Sequence, residues 1–246
     1  MTGKRAAIVL AAGKGKRMKS DLPKVLHRID GRPMVSILLD TLVRMKFDRI
    51  VVVIGHKGEM VQQELADYPV EFVWQREQKG TGHAVMMARE VLGDFDGTTL
   101  VAAGDVPFLS KESIEGLFDA HVRNQASATC LTAIFDDPTG YGRVIRDQGG
   151  DMLEAIVEHK DAAEDILRIK EINTGILCFN NEQLFAALEK IDDNNAQGEY
   201  YLTDTVKIMH TSGLRVAVET AENPDEVLGI NSVEQLTTVA GKFAGK

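Results

Sequence analysis

Three short segments carry residue types suited to polyphosphate chemistry. The run LAAGKGKRMKSDLPKVLH, Leu10 to His27, places Lys14, Lys16, Arg17, Lys19 and Lys24 within eleven residues around Gly13 and Gly15. The glycines let backbone N–H groups approach a phosphate closely, and the cations would neutralise it. A plain tight turn carrying solvated lysines is the alternative reading. The dinucleotide fingerprint needs a third glycine where Met18 stands, and the P-loop's Gly-Lys-Ser/Thr ending is absent. In QREQKGTGHAV, Gln75 to Val85, a Gln amide offers the donor and acceptor that suit the edge of a base. Gly80 and Thr81 can present backbone groups at close range. A glycine-rich helix entry opening at His83 is the alternative, and His83 itself reads as a capping or core histidine. In AAGDVPF, Ala102 to Phe108, Asp105 sits at a strand's carboxyl end before a Pro-stiffened turn. A carboxylate there can hold Mg²⁺, with substrate phosphates as further ligands, although a turn-forming Asp is also possible. The Asp-X-Asp pair of many nucleotide-sugar glycosyltransferases is missing, because Val106 and Pro107 follow.

These segments must be positioned by a scaffold, and the first half of the chain has its rhythm. Apolar runs at Ala6 to Leu10, Ile50 to Ile54, Val70 to Trp74 and Thr98 to Ala102 alternate with helix-period segments, as in a parallel sheet with crossover helices. Val35, Leu38, Leu39, Leu42 and Met45 follow helical spacing behind Pro33, so they are core. Near-continuous apolar strands predict a sheet covered on both faces, with ligands at the carboxyl-end loops. After about residue 135 the pattern changes. Strand-like segments at Gly142 to Arg146, Met152 to Val157 and Ile172 to Phe179 suggest an inserted or appended sheet region. Helices near Glu182 to Lys190 and from Thr203, a strand at Leu214 to Val218 and a helix from Ser232 complete a single unit with two lobes.

Composition narrows the function classes. The 246 residues carry a formal charge of −9, which disfavours a general nucleic-acid or membrane-surface binder. Residues 1 to 30 nevertheless hold eight Lys or Arg against Asp21 and Asp30, a local +6, and the remainder carries −15. Cys130 and Cys178 lie far apart in apolar, strand-like surroundings and read as buried free thiols of a reducing cytosol. Lys4 and Arg5 before the short run Ala6 to Ala12 imitate a signal peptide, but that run reads as a first strand. No apolar stretch approaches the roughly 20 residues that span a bilayer, so a cytoplasmic protein is expected.

The three loops together resemble the sugar-nucleotide pyrophosphorylases, specifically the uridylyltransferase half of the bacterial bifunctional N-acetylglucosamine-1-phosphate uridylyltransferase/acetyltransferase family. The similarity continues in order through DDPTGYGRV (Asp136 to Val144), IVEHKDA (Ile156 to Ala162), EINTGI (Glu171 to Ile176), NAQGEYYLTD (Asn195 to Asp204) and GIN (Gly229 to Asn231). The resemblance implies an α/β fold: a Rossmann-like three-layer α/β/α nucleotidyltransferase domain with a mostly parallel central sheet and a smaller sugar-binding lobe. The domain would span residues 1–231, with 232–246 starting a helical arm. No hexapeptide repeat is present, so neither the left-handed β-helix, its acetyltransferase activity nor its trimer is expected, leaving a monomer or weak oligomer.

Residue by residue, the resemblance implies that Arg17, Lys24 and Asp105 serve catalysis. Nucleotide contacts would fall on Leu10, Ala11, Ala12, Gly13, Lys24, Gln75, Gly80, Thr81, Ala103 and Gly104. N-acetylglucosamine contacts would fall on Gly142, Glu158, Asn173, Tyr201, Thr203 and Asn231. Mg²⁺ would be held by Asp105 and Asn231. Two positions depart from the usual pattern: Lys16 replaces a Thr, adding charge beside the phosphates, and Ala103 replaces a larger residue, often Tyr, enlarging the pocket wall. The implied reaction joins UTP to N-acetylglucosamine-1-phosphate, supplying cell-envelope polysaccharides. A pyrophosphorylase for another sugar-1-phosphate or nucleotide stays open, as does a non-catalytic nucleotide-sugar sensor. An NAD-dependent oxidoreductase is disfavoured by Met18.

Overall fold

A computed structural model describes residues 3–243. The chain opens with β1 (Arg5–Ala11), then a short ribbon of β2 (Arg28–Ile29) and β3 (Arg32–Pro33), and α1 (Met34–Arg44). Next come β4 (Arg49–Ile54), α2 (Gly58–Glu64), β5 (Glu71–Trp74), α3 (Thr81–Met87), α4 (Arg89–Leu92), β6 (Thr98–Ala103), α5 (Lys111–Arg123) and β7 (Ala128–Ile134). The second half holds β8 (Arg143–Arg146), β9 (Leu153–Val157), α6 (Glu164–Leu167), β10 (Glu171–Asn180), α7 (Asn181–Leu188), α8 (Asp204–Thr211), β11 (Val216–Thr220) and α9 (Val233–Phe243).

The main sheet has nine strands, with the path β11-β7-β10-β6-β1-β4-β5, and β8 and β9 extend from β10. β1 is parallel to β4 on one side and to β6 on the other, in register at Ala11↔Ile54 and Leu10↔Ala103. β4 and β5 are also parallel. The loops after β1, β5 and β6 therefore leave from one edge, where chain order reverses around β1. That is where a doubly wound sheet binds its ligand. β10 alone runs antiparallel between β6 and β7. The appended β8–β9 hairpin joins the same sheet through Ile172↔Arg143, so the smaller lobe is a continuation of the main sheet.

Strand alternation splits the core in two. Ala7, Val9 and Ala11 face α1 through Leu38, Leu39 and Leu42, while Ala6 and Ile8 face Val85, Ala88, Leu92 and Leu184. Successive side chains of a strand point to opposite faces, so a strand buried on both sides must be apolar throughout. The helical stripe read from Val35 to Met45 packs as expected, and Pro33 is the N-cap of α1. Cys130 and Cys178 are buried and free, on adjacent strands, and burial pushes both thiols up. α9 lies against the domain, with Leu236 and Val239 beside Ile29, Met34 and Ile230. Among the described residues no helix is long and apolar enough to cross a membrane.

Candidate active site

The loop after β1 is folded onto Lys24. Gly15 has φ +57°, and a β-carbon there would lie 2.7 Å from Lys24 Cβ, so the turn needs glycine. Met18, in the position where a dinucleotide fold needs glycine, is only 2% exposed and anchors this loop in the core. Gly13 has open space around it. The side chain of Lys16 lies outside what the structure describes.

Four polar side chains from distant segments then converge. Lys24 Nζ donates to Asp105 Oδ2 and, at 3.0 Å, to Asn231 Oδ1. Arg17 Nη2 donates to the same Asn231 oxygen at 2.8 Å. Asp105 is buried and held in a tight turn by Val106 N donating to Ala103 O at 3.1 Å. The Gly-Ile-Asn turn is pinned against it, because Ile230 N donates to Asp105 O at 2.9 Å. Asn231 is oriented by its own N–H on Gln235 Oε1 at 2.7 Å and by its Nδ2 on Gly229 O at 3.2 Å. A carboxylate oxygen and an amide oxygen therefore face one cation position. These are hard donors of the kind Mg²⁺ takes, with room for substrate phosphates to complete the shell. Among the described residues no cluster of three or more His, Cys, Asp or Glu could hold a metal, so a cation here would depend on such added ligands.

This cluster borders a cavity of about 600 Å³ lined by Leu10 to Gly15, Lys24, Gln75, Gly80, Thr81, Ala103 and Asp105. Gly104 lies beneath it, its N–H on Leu10 O at 2.9 Å. The far wall is made by two loops locked together. Gly80 has φ +110°, and a β-carbon there would lie 2.5 Å from Tyr200 O. Tyr200 N donates to Lys79 O and Gly82 N to Tyr200 O, both at 2.8 Å. Leu202 N donates to Thr81 Oγ1 at 3.1 Å, tying the Thr81 side chain to the start of the segment that leads into α8, while Thr81 also lines the cavity. Helix α3 begins at Thr81, two residues before the expected opening at His83, because Gly80 makes the turn. Nor is His83 a cap or an enclosed core histidine. It is half-buried, and its Nδ1 meets Gln75 Nε2 at 3.0 Å. Lys14, Gln78 and Glu199 also line the cavity.

The residues expected to hold a sugar form a second group. A β-carbon on Gly142 would lie 3.5 Å from Glu158 Oε2 and 3.6 Å from Asn173 Cβ, so these three positions adjoin. Thr203 Oγ1 donates to Glu158 Oε1 at 3.0 Å. A register shift in β10 between Asn173 and Ile176 aims Asn173, whose Oδ1 accepts from Gly175 N at 3.0 Å. Burial raises the Glu158 carboxyl above its ordinary range, the Thr203 bond opposes this, and Asp161, Asp204 and Glu199 add to the rise. Beside Gly142 in the chain, the Tyr141 hydroxyl is raised first by burial and then by the Asp105 charge, with Arg17 opposing. Tyr201 shares a cavity of about 430 Å³ with Glu158. Its hydroxyl accepts from Gln197 Nε2 at 2.8 Å and donates to Asp161 Oδ2 at 3.3 Å.

Residues 7–200 of this chain match the MobA-like NTP transferase domain. The chain belongs to that family. As an NTP transferase domain it is 52% identical over 234 residues to the bifunctional protein GlmU of Enterococcus faecalis, covering 95% of this chain and 51% of the relative. It is 51% identical over 232 residues to that of Streptococcus gordonii, covering 94% and 50%. With that of Halalkalibacterium halodurans it shares 48% over 227 residues, covering 92% and 50%. The chain thus spans about half the length of the curated relatives it matches. The fold of this NTP transferase domain is similar to that of a UDP-glucose pyrophosphorylase solved in complex with UDP-glucose, with a TM-score of 0.77 over 98% of each chain and 14% identity.

Proposed function

We propose that this domain transfers a uridylyl group from UTP to N-acetylglucosamine-1-phosphate, releasing pyrophosphate and UDP-N-acetylglucosamine. The observation that carries the reading is the meeting of Lys24, Arg17, Asp105 and Asn231 beside a cavity that also opens on Gln75, Gly80 and Thr81. A sugar-1-phosphate oxygen attacks the α-phosphorus in line. A new P–O bond forms while the bond to the β-phosphate oxygen breaks, and pyrophosphate leaves. The nucleophile is already anionic at neutral pH, so no side chain has to remove a proton. The obstacle is charge, and the protein's task is to align two polyanions and neutralise them.

Lys24 and Arg17 exchange their internal partners for phosphate oxygens. Gln75, Gly80 and the Thr81 backbone position the base, and Gly142, Glu158, Asn173 and Thr203 the sugar. Asp105 and Asn231 would hold Mg²⁺, which when bound draws charge from the phosphoryl oxygens. UTP as substrate and two free thiols both suit a reducing cytoplasm.

An Mg²⁺-dependent pyrophosphate-release assay over a matrix of nucleoside triphosphates and hexose-1-phosphates tests this. Release is expected with UTP and N-acetylglucosamine-1-phosphate. Preferential release with another pair reassigns the substrates, and no release with any pair overturns catalysis in favour of a nucleotide-sugar sensor.

A further inference from the structure

The Gln75 side chain is 3% exposed and its amide orientation is decided by two neighbours. Nε2 lies 3.0 Å from Gly80 O, a carbonyl that can only accept, so the NH₂ group must point there. The second amide hydrogen meets His83 Nδ1 at 3.0 Å. That contact requires a lone pair on Nδ1 and hence the tautomer protonated at Nε2. With both hydrogens committed, the only group Gln75 can offer a ligand is its carbonyl oxygen. Uracil has a single donor on its pairing edge, N3–H, whereas cytosine presents a lone pair at N3. Resting on the reading that Gln75 contacts the base, we propose that His83 is a positioning residue for base choice: it holds Gln75 as an acceptor and so favours uracil over cytosine.

The imidazole stays neutral where this matters. Burial pulls His83 below the ordinary histidine range, and the Lys79 charge adds to this, against the Glu77 charge and a hydrogen bond between the ring and the Glu77 backbone, an acceptor for the ring N–H. The ring also faces Tyr200, with ring centroids 6.4 Å apart, and a cavity of about 450 Å³ bordered by Lys79, Arg89 and Glu189. None of these replaces the Nδ1 acceptor. Without it, Gly80 O alone opposes a flip of the Gln75 amide, and a flipped amide presents a donor that suits cytosine N3.

The test measures kcat/KM for UTP and CTP in the wild type, His83→Phe, His83→Asn and Gln75→Ala. Phe keeps a ring beside Tyr200 but cannot accept, so the UTP/CTP ratio is expected to fall roughly 3- to 10-fold, the worth of one hydrogen bond. The loss should appear in KM for UTP, with KM for the sugar phosphate unchanged. Asn, whose Oδ1 stands near the place of Nδ1, should restore the ratio. If Gln75→Ala lowers the ratio and His83→Phe does not, the His83 assignment is overturned while the base site stands. A ratio unchanged by Gln75→Ala overturns the base site itself, and the His83 assignment with it.

Discussion

Replacing Lys24 by Met should unsettle the fold and the reaction by different routes, and the two can be separated. The Lys24 and Asp105 side chains are 19% and 10% exposed, so the pair is screened much less than a surface bridge. A unit pair at about 4 Å interacts by roughly 4 kcal/mol at an effective dielectric near 20, and the cost of leaving water offsets part of this. Without the ammonium, Asp105 faces the Asn231 Oδ1 dipole with no cation between, as both oxygens now point at Lys24 Nζ. The stranded charge should cost about 2 to 3 kcal/mol, lowering Tm by about 5 to 10 °C for a domain of this size. Adding Asp105→Asn removes the stranded charge, so the double variant should recover most of that loss, a coupling of about 2 kcal/mol in a double-mutant cycle. Turnover behaves otherwise: Lys24→Met should lose on the order of 10² to 10³ in kcat, and the double variant should be no faster. Urea unfolding of the four proteins at pH 7, beside pyrophosphate release, measures both. Stability losses that simply add, or near-normal turnover of Lys24→Met at saturating substrate, would refute the reasoning.

Asp105→Ala should nearly abolish Mg²⁺-dependent turnover, as should a chelator on the wild type; activity retained by the variant in the release assay would place the metal elsewhere. Gly80→Ala forces a side chain into φ +110° and against Tyr200 O, with a strain of about 1 to 3 kcal/mol. It should lower Tm and raise KM for UTP more than KM for the sugar phosphate, and equal rises would detach Gly80 from the base. His121, buried with Nδ1 3.0 Å from Thr129 Oγ1, is lowered by burial to about 4. Its folded value lies below the unfolded one, so the neutral ring's contribution is whole above about pH 6.5 and lost as pH falls towards 4, a change of roughly 3 kcal/mol. His121→Gln should flatten the acid limb of the Tm profile across that window, and parallel profiles would count against it.

Local composition made the loops legible, and distance hid what they touch. An apolar strand followed by Gly13, Gly15 and five cations suggests a phosphate loop from a few residues of chain. By contrast, Cys130 reads as strand-like without a boundary, because six of the seven residues Ala128–Ile134 are buried and show no alternation. His83 reads as a cap or core residue because its signal is a glycine-rich helix entry; its bond to Gln75 depends on how the seven intervening residues fold back. Nothing local to Thr81 announces that its hydroxyl will accept from Leu202, 121 residues later. Tyr201 and Thr203, two residues apart, face different partners, because the chain turns between them into α8.

Asn231 carries the sharpest form of this difficulty. A Gly-Ile-Asn turn is chemically anonymous, and only the family resemblance singles it out. Its place follows from topology: β1 lies between β4 and β6, so Lys24 after β1 and Asp105 after β6 reach the same sheet edge. The Ile230 N–H on Asp105 O then delivers the Asn231 amide to both. Arg17 and Lys24 meet that amide across 214 and 207 residues of sequence. A surplus of positive charge in the first 30 residues can therefore announce that an acidic protein handles anions. Which cations and which oxygens come together is visible only where the two strand ends and the returning turn meet.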